Sequence, residues 1–388
     1  MSAHSLDALN ALSTTTALQR IFDTAKSNDY SFAFYRLPNT SNFTIILSSK
    51  EVSKQFLNSR ETTGFAVSLF ISSDCQGHLI PEDLLISYQD SFSIKGSSEV
   101  VNTFISLLDN NTQKPTTTSL TFTDTPKKAF TDGVNSAISE INKGTFKKVV
   151  LAKTKNIALN QDFSISSVLN KISTEYERAF VSYVSSPAFG DWLTASPEIL
   201  LEIKDKQHFK TVSLAATQQA NGTSIKLVSW NQKEIEEQAY VSRYIIDCLK
   251  KIRLRGYEEI GPRTVKAGNL LHLKTDFLID MEKTGYPDLG NQMLELLHPT
   301  SAVCGMPKEK ALDFITTHEV FDRELYTGYL GPLNIENTTC LAVNLRCAKL
   351  TDSHATLFAG AGITEDSDAE QEWQETEIKC ETLGRFLV

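Results

Sequence analysis

AFVSYVSSPAFGDWLTASPEILLEIKDKQHFKTVSLAAT, residues 179–217, carries four strand-like runs in succession. AFVSYVSS (179–186), DWLTAS (191–196), EILLEIK (198–204) and FKTVSLAAT (209–217) follow one another with no helical pattern between them. Strands that come in consecutive groups, with helices between the groups, predict an α+β fold with large antiparallel sheets and not a regular βαβ alternation.

The same texture extends outward. KKVVLAKTKNIAL (147–159) reads as a strand, and CLAVNLRCAKL (340–350) and ATLFAGAGI (355–363) are apolar, β-rich runs. Near the N-terminus FAFYRLP (32–38), FTIILSS (43–49) and GFAVSLFIS (64–72) read as strands, and SSEVVNTFISLLDN (97–110) as a helix. KKAFTDGVNSAISEINKG (127–144) places Phe130, Val134, Ala137, Ile138 and Ile141 on one helical face, and Gly144 ends it. QKEIEEQAYVSRYIIDCLKKI (232–252) is a long amphipathic helix, and helix returns from Ser367. NTQKPTTTSLTFTDTPK (111–127) is polar, contains proline, and reads as a surface connection. No internal repeat is present.

The 388 residues suffice for one large or two ordinary domains, and the composition is that of a globular protein. A net charge of −9 argues against nucleic acid as a partner, because phosphate affinity needs a basic face. No apolar run approaches the roughly 20 residues that span a bilayer, so no membrane partner is expected. The first twenty residues lack the basic and apolar regions of a signal peptide. The six cysteines (75, 248, 304, 340, 347 and 380) form no C-x-x-C pair and read as reduced thiols, so a cytoplasmic location is expected.

The C-terminal stretch FAGAGITEDSDAEQEWQETEIKCETLG (358–384) crowds carboxylates behind a small apolar turn. SDAE (367–370) reads as a capping box, with Ser367 at the N-cap and Glu370 three residues on. Glu372, Glu375 and Lys379 then share a helical face, with Trp373, Thr376 and Cys380 on a neighbouring stripe. A solvated acidic helix is one reading. The other comes from the helix at 232–252, where Glu234 and Glu237 repeat the same spacing. Two E-x-x-E pairs on separate helices can meet around a hard cation, and carboxylates with waters suit Mg²⁺.

Other residues carry two readings each. GPLN and AGAGI are small-residue turns that either hold an anion on backbone N–H groups or serve tight packing. Arg346, in an apolar strand, needs an anionic partner, whether a structural carboxylate or a bound one. Lys148 shares a strand face with Val150, Ala152 and Thr154, and reads as a buried base or as an edge-strand lysine. Glu198 opens an apolar strand, either as an acid with a raised pKa or as a surface residue after a proline turn. His272 and His298 are catalytic or hydrogen-bonded core histidines.

Taken in order, these pieces resemble the chorismate-binding enzymes, and among them the isochorismate synthase branch. The similar segments are KKVVLAKT, LTASPEILL, LAAT, KEIEEQ, LLHPTSAVCGMPK, RELYTGYLG, AVNLRCA and GAGITEDSDAEQEWQETEIK, which lie within residues 125–385. Residues 1–120 match only in length and general pattern. The resemblance implies one large α+β domain over residues 1–388, with two packed, mainly antiparallel sheets and helices outside. It implies a Mg²⁺ cofactor on Glu237 and Glu375, with Glu234 and Glu372 nearby or acting through water. It implies chorismate as substrate, its ring carboxylate on the metal and its enolpyruvyl side chain held by Arg346 and Tyr326, aided by Gly360, Ala361, Gly362 and Lys379. Ala215, Ala216, Thr217, His272, Ala302 and Val303 complete the expected substrate-binding set.

Isochorismate formation adds water at C2 of the ring and expels the C4 hydroxyl, so it needs a base and an acid. Carried over by motif, Lys148 is the base and Glu198 the acid. The amine-adding relatives generally carry Gln at the place of Lys148. A nucleophilic Lys found in one of them is replaced here by Ala215, and no glutaminase domain or subunit is expected. Ala216 stands where Gly is usual, Lys153 where Arg is common, and Gln238 where His is frequent. The expected activity is an isochorismate synthase of the isomerase type, serving menaquinone or siderophore and salicylate biosynthesis, and a monomer. The alternatives are a salicylate synthase, which goes on to eliminate pyruvate, and a catalytically silent binding protein of the same fold.

Overall fold

In the computed structural model the described residues are 2–52, 54–57, 60–72, 76–110, 123–220, 225–267 and 270–388. Among them the strands form two sheets. The ten-stranded sheet runs Gly305–Met306, Lys148–Ala158, His354–Ile363, Cys347–Leu350, Gly190–Ser196, Phe180–Ser186, Ser31–Arg36, Phe43–Ser48, Leu84–Tyr88, Phe92–Gly96. The nine-stranded sheet runs Glu258–Ala267, Leu270–Asp280, His208–Gln219, Ile199–Lys204, Thr338–Val343, Tyr329–Leu333, Gly64–Val67, Gln76–Pro81, Lys54–Phe56. Every strand pairing among the described residues is antiparallel, as the succession of strands at 179–217 predicts. The fold is α+β, and strands from the N-terminal part are built into both sheets.

Burial explains the layering. Ala33, Tyr35, Phe180, Trp192 and Phe358 of one sheet pack against Phe65, Val67, Leu330 and Ala342 of the other, forming the core between the sheets. Outside the ten-stranded sheet, Leu18, Ile21 and Phe22 of helix Thr14–Ser27 and Leu169 and Ile172 of helix Ile165–Glu175 cover Phe32, Phe34, Tyr183 and Leu193. Outside the nine-stranded sheet, Ile245 and Leu249 of helix Gln232–Lys251 and Met293 and Leu294 of helix Leu289–Leu297 cover Phe209, Phe277 and Leu341. Two faces buried on both sides account for near-continuous apolar runs such as Phe180–Ser186.

Three local expectations change. CLAVNLRCAKL is not one strand. Thr338–Val343 lies in the nine-stranded sheet and Cys347–Leu350 in the ten-stranded one, and Arg346 turns the chain between them at φ 49°. The small-residue stretches are strands and not turns: GPL lies in Tyr329–Leu333 and AGAGI in His354–Ile363. The C-terminal helix, Ala369–Gly384, is capped by Asp368, whose side chain accepts from Glu370 N and Gln371 N. Ser367 Oγ instead accepts from Thr364 N, and Glu370 pairs with Lys127 at 2.7 Å. Most of the 111–127 connection falls outside the described residues, as does Cys75. The other five cysteines are free and buried.

Candidate active site

Two of the passages the chain makes between the sheets run side by side. Ser196 ends a strand of the ten-stranded sheet and Ile199 begins one of the nine-stranded sheet, with Glu198 between them. The second passage is Asn344–Arg346. The two are stitched together: Val343 N donates to Glu198 O and Ala195 N to Arg346 O, each at 3.0 Å. Ser196 Oγ donates to Val343 O at 2.6 Å and Thr194 Oγ1 to Asn344 Oδ1 at 2.7 Å. Two residues about 150 positions apart in sequence are thus anchored to adjacent backbone.

Lys148 begins the strand Lys148–Ala158, called the lysine strand below. Alternation sends Val149 and Leu151 into the helix-covered core with Ala361 and Ile363, and leaves Lys148 on the opposite face with Val150 and Ala152. The strand His354–Ile363 pairs with it in register, Gly362 opposite Val150 and Gly360 opposite Ala152. These two glycines make room for side chains lying across them. A Cβ on Gly360 would come within 2.9 Å of the Tyr326 hydroxyl, and one on Gly362 within 2.9 Å of Lys148 Cε. Tyr326 is buried and stacks on Phe358, ring centroids 5.4 Å apart.

Charges converge on this face. Lys148 Nζ lies 3.9 Å from Glu237 Oε1. Lys379 Nζ is 2.5 Å from Glu375 Oε1 and donates to Gly360 O at 2.8 Å. Burial pushes the Glu198 carboxyl up to about 7, against the opposing pull of Lys148 and the Thr300 hydroxyl. Burial lowers the pKa of Lys379, and nearby Arg346 adds to this while Glu375 resists it. Arg346 is lowered by burial, and Tyr326 and Glu375 pull it back up. His272 Nδ1 donates to Ala216 O at 3.0 Å, and burial followed by the Arg346 charge lowers its pKa. Ala216 sits at φ 58° in a bulge of strand His208–Gln219, where the register shifts between Ala215 and Thr217. Thr217 is paired with His272 through that register.

The structure therefore brings Lys148, Glu198, Glu237, Glu375, Lys379, Arg346, Tyr326, His272, Gly360 and Gly362 into one charged group. Others are placed differently. Glu234 closes the capping box of helix Gln232–Lys251, accepting from Asn231 N at 2.8 Å and from Gln218 Nε2 at 2.8 and 2.9 Å. The Val303 side chain packs in the helix-side core of the nine-stranded sheet, and Ala361 in the helix-side core of the other. Ala302 is half-buried in the loop before Val303, and Glu372 is half-buried on the C-terminal helix. His298 is a core histidine: its ring packs edge-on to Tyr329 at 5.0 Å, Nε2 bonds Leu69 O at 3.1 Å, and burial lowers its pKa to about 4.

Sequence reasoning passed over two devices that support the group. Lys153 is buried in an ion pair with Glu377 and lies 3.4 Å above the Trp373 ring, while Lys155 holds the same carboxylate at 2.6 Å. This clamps the C-terminal helix, and so Glu375, onto the lysine strand. Glu319 and Arg323 form a second buried pair. The signal for the first was Lys153, an internal lysine in an apolar run. The second is spaced like any surface i, i+4 pair.

A family model for chorismate-binding enzymes matches residues 82–388. The chain belongs to the chorismate-binding enzymes. Its match begins well before residue 125, where the motif-bearing part was expected to start. Isochorismate synthase EntC of Escherichia coli K12 is 29% identical over 243 residues, 61% of this chain and 61% of that protein. Isochorismate synthase MenF of the same strain is 28% identical over 267 residues, 67% of this chain and 60% of that one. The matches thus span about three fifths of these relatives' own length. The solved structure of MenF, the menaquinone-specific isochorismate synthase from Escherichia coli, superposes with a TM-score of 0.78 at 22% identity, over 95% of this chain and 91% of that one. Anthranilate synthase component I from Streptococcus pneumoniae gives 0.66 at 17% identity, over 92% of both chains. At these identities the structural likeness speaks for the fold.

Proposed function

We propose that this chorismate-binding enzyme is an isochorismate synthase. The observation that carries the reading is a half-buried Lys148 whose charge acts on Glu198, a carboxyl raised by burial to about 7. A base and an acid with different environments are what water addition with loss of hydroxide requires. Lys148 accepts the proton of the attacking water as its oxygen bonds to ring C2. The ring double bonds shift, the C4–oxygen bond breaks, and Glu198 gives its proton to the departing hydroxyl. One water enters and one leaves.

Arg346, Lys379 and the Tyr326 hydroxyl supply donors for a substrate with two carboxylates. Glu237 and Glu375 suit Mg²⁺: both are partly exposed oxygen donors, and each is matched with an ammonium group that a cation can replace. Two carboxylates would be completed by substrate oxygens and water; among the described residues no three His, Cys, Asp or Glu side chains are spaced to hold a metal ion by themselves. Bound there, the ion would supply positive charge for a substrate carboxylate. Glu372 would act through water, and Glu234 would hold the first turn of the helix carrying Glu237. No helix among the described residues is long and apolar enough to cross a membrane, and a cytoplasmic monomer acting without a glutaminase is part of the proposal.

The test is to incubate the purified protein with chorismate and Mg²⁺, then with EDTA, and identify the products by chromatography and mass. Isochorismate in balance with chorismate, lost on chelation, is expected. Salicylate with pyruvate would move the assignment to a salicylate synthase. No turnover would leave a binding protein.

A further inference from the structure

The ten-stranded sheet ends on a strand of only two residues. Gly305–Met306 pairs with Val149 and Lys148, and beyond them, among the described residues, no strand pairs with the outer side of the lysine strand. Its backbone groups still need partners. Val150 N donates to Cys304 O at 2.8 Å, and Thr154 N to Thr125 Oγ1 at 2.9 Å. Between these positions one ion pair takes over. Arg323 Nη2 donates to Val150 O at 2.7 Å, and Ala152 N donates to Glu319 Oε1 at 2.7 Å.

The pair is closed on itself. Arg323 Nε and Nη2 reach the two Glu319 oxygens at 2.7 and 2.5 Å, and Nη1 donates to Val303 O at 2.9 Å. The side chains are 2% and 4% exposed, and the guanidinium lies 4.3 Å from the Phe70 ring and 5.7 Å from that of Tyr326. A buried pair of this kind is a poor route to stability, since apolar groups of similar volume commonly do as well or better. A planar fork does fix direction and register. What it fixes here is the backbone at 150 and 152, whose partners across the ladder are Gly362 and Gly360, the glycines beneath Lys148 and Tyr326.

We propose that Glu319 and Arg323 are positioning residues, an ion pair that bonds the outer edge of the lysine strand at 150 and 152 and holds Lys148 and Tyr326 in register for the reaction. The proposal rests on the isochorismate synthase reading above. Its test uses the double variant Glu319→Leu/Arg323→Met, which substitutes apolar volume for the pair, beside Arg323→Lys, which keeps the charge without the fork. Thermal unfolding of the double variant is expected to shift downward, because Ala152 N, Val150 O and Val303 O lose their partners, while at temperatures where it is fully folded kcat for chorismate falls at least about tenfold with KM nearly unchanged. Wild-type kcat in either folded variant would overturn the proposal, as would a loss that only follows the folded fraction. Amide hydrogen exchange on the wild-type chain gives a readout independent of turnover and of any variant's folding. Ala152 N–H is expected to be as protected as amides of the central strand Phe180–Ser186, and exchange at the rate of an open edge would refute the clamp. A protected Ala152 in a protein that leaves chorismate untouched would instead count against the isochorismate reading alone.

Discussion

Lys148 lies directly across Gly362: a Cβ at that glycine would meet Lys148 Cε at 2.9 Å and Nζ at 3.4 Å. The atoms met are the far end of a flexible side chain, so the backbone can stay while the ammonium moves. Gly362→Ala is therefore expected to leave thermal stability within about 1 kcal/mol and to lower kcat by about tenfold or more. Lys148→Ala should abolish water addition while chorismate still binds. Steady-state kinetics with a binding titration check both, and full activity in Lys148→Ala would remove it as the base.

Glu198 makes activity and stability depend on pH in a stated direction. Its carboxyl rises from the ordinary 4.5 to about 7 on folding. Between those values the folded chain holds a proton that the unfolded chain has lost, so the Glu198 contribution is full below pH 4.5 and is lost as pH rises through 7. An acid that must be protonated also predicts a kcat that declines through the same region. Glu198→Gln is expected to lower turnover, erase that limb, and unfold at a higher temperature than wild type at alkaline pH. Unchanged turnover would refute the acid role.

Glu375 pairs with Lys379 on the exposed side of the group. Its removal is expected to cost little stability, because half-exposed pairs contribute little. Glu375→Ala should instead weaken Mg²⁺ binding, read by calorimetry on the folded protein. Wild-type affinity would sink the metal assignment.

Ala216 carries its Cβ at φ 58°, a conformation that disfavours L side chains by about 1 kcal/mol. Ala216→Gly relieves this, and the greater entropy of glycine in the unfolded chain returns part of the gain. The expected result is activity close to wild type and a small rise in melting temperature. A marked fall in stability would show that the methyl packs favourably despite its backbone.

The strands themselves were legible because each states its pattern locally, while many of their pairings join segments far apart in sequence. The runs at 179–217 state their period and their turns within a few residues of one another. Glu375 and Lys379 declare a shared face through helical spacing alone. Arg346 was harder, since a non-glycine residue at positive φ gives no local sign that the chain changes sheets there. The stretch AGAGI looked like a turn because small residues are common in turns. Its glycines are required by Tyr326 and Lys148, which arrive from distant sequence. Asp368 displaced Ser367 as cap because two adjacent residues offered the same chemistry, and the Ser367 hydroxyl is taken up by Thr364 N. Glu319 and Arg323 resembled a solvated pair, and only the outer side of the lysine strand gives them their work.

The most direct measurement runs the reaction in water labelled with heavy oxygen and locates the label by mass and magnetic resonance. Water addition by Lys148, with the old hydroxyl expelled by Glu198, predicts isochorismate labelled at the C2 hydroxyl. Isochorismate without label would mean that the original hydroxyl had migrated within the molecule, and would contradict the roles assigned to both residues.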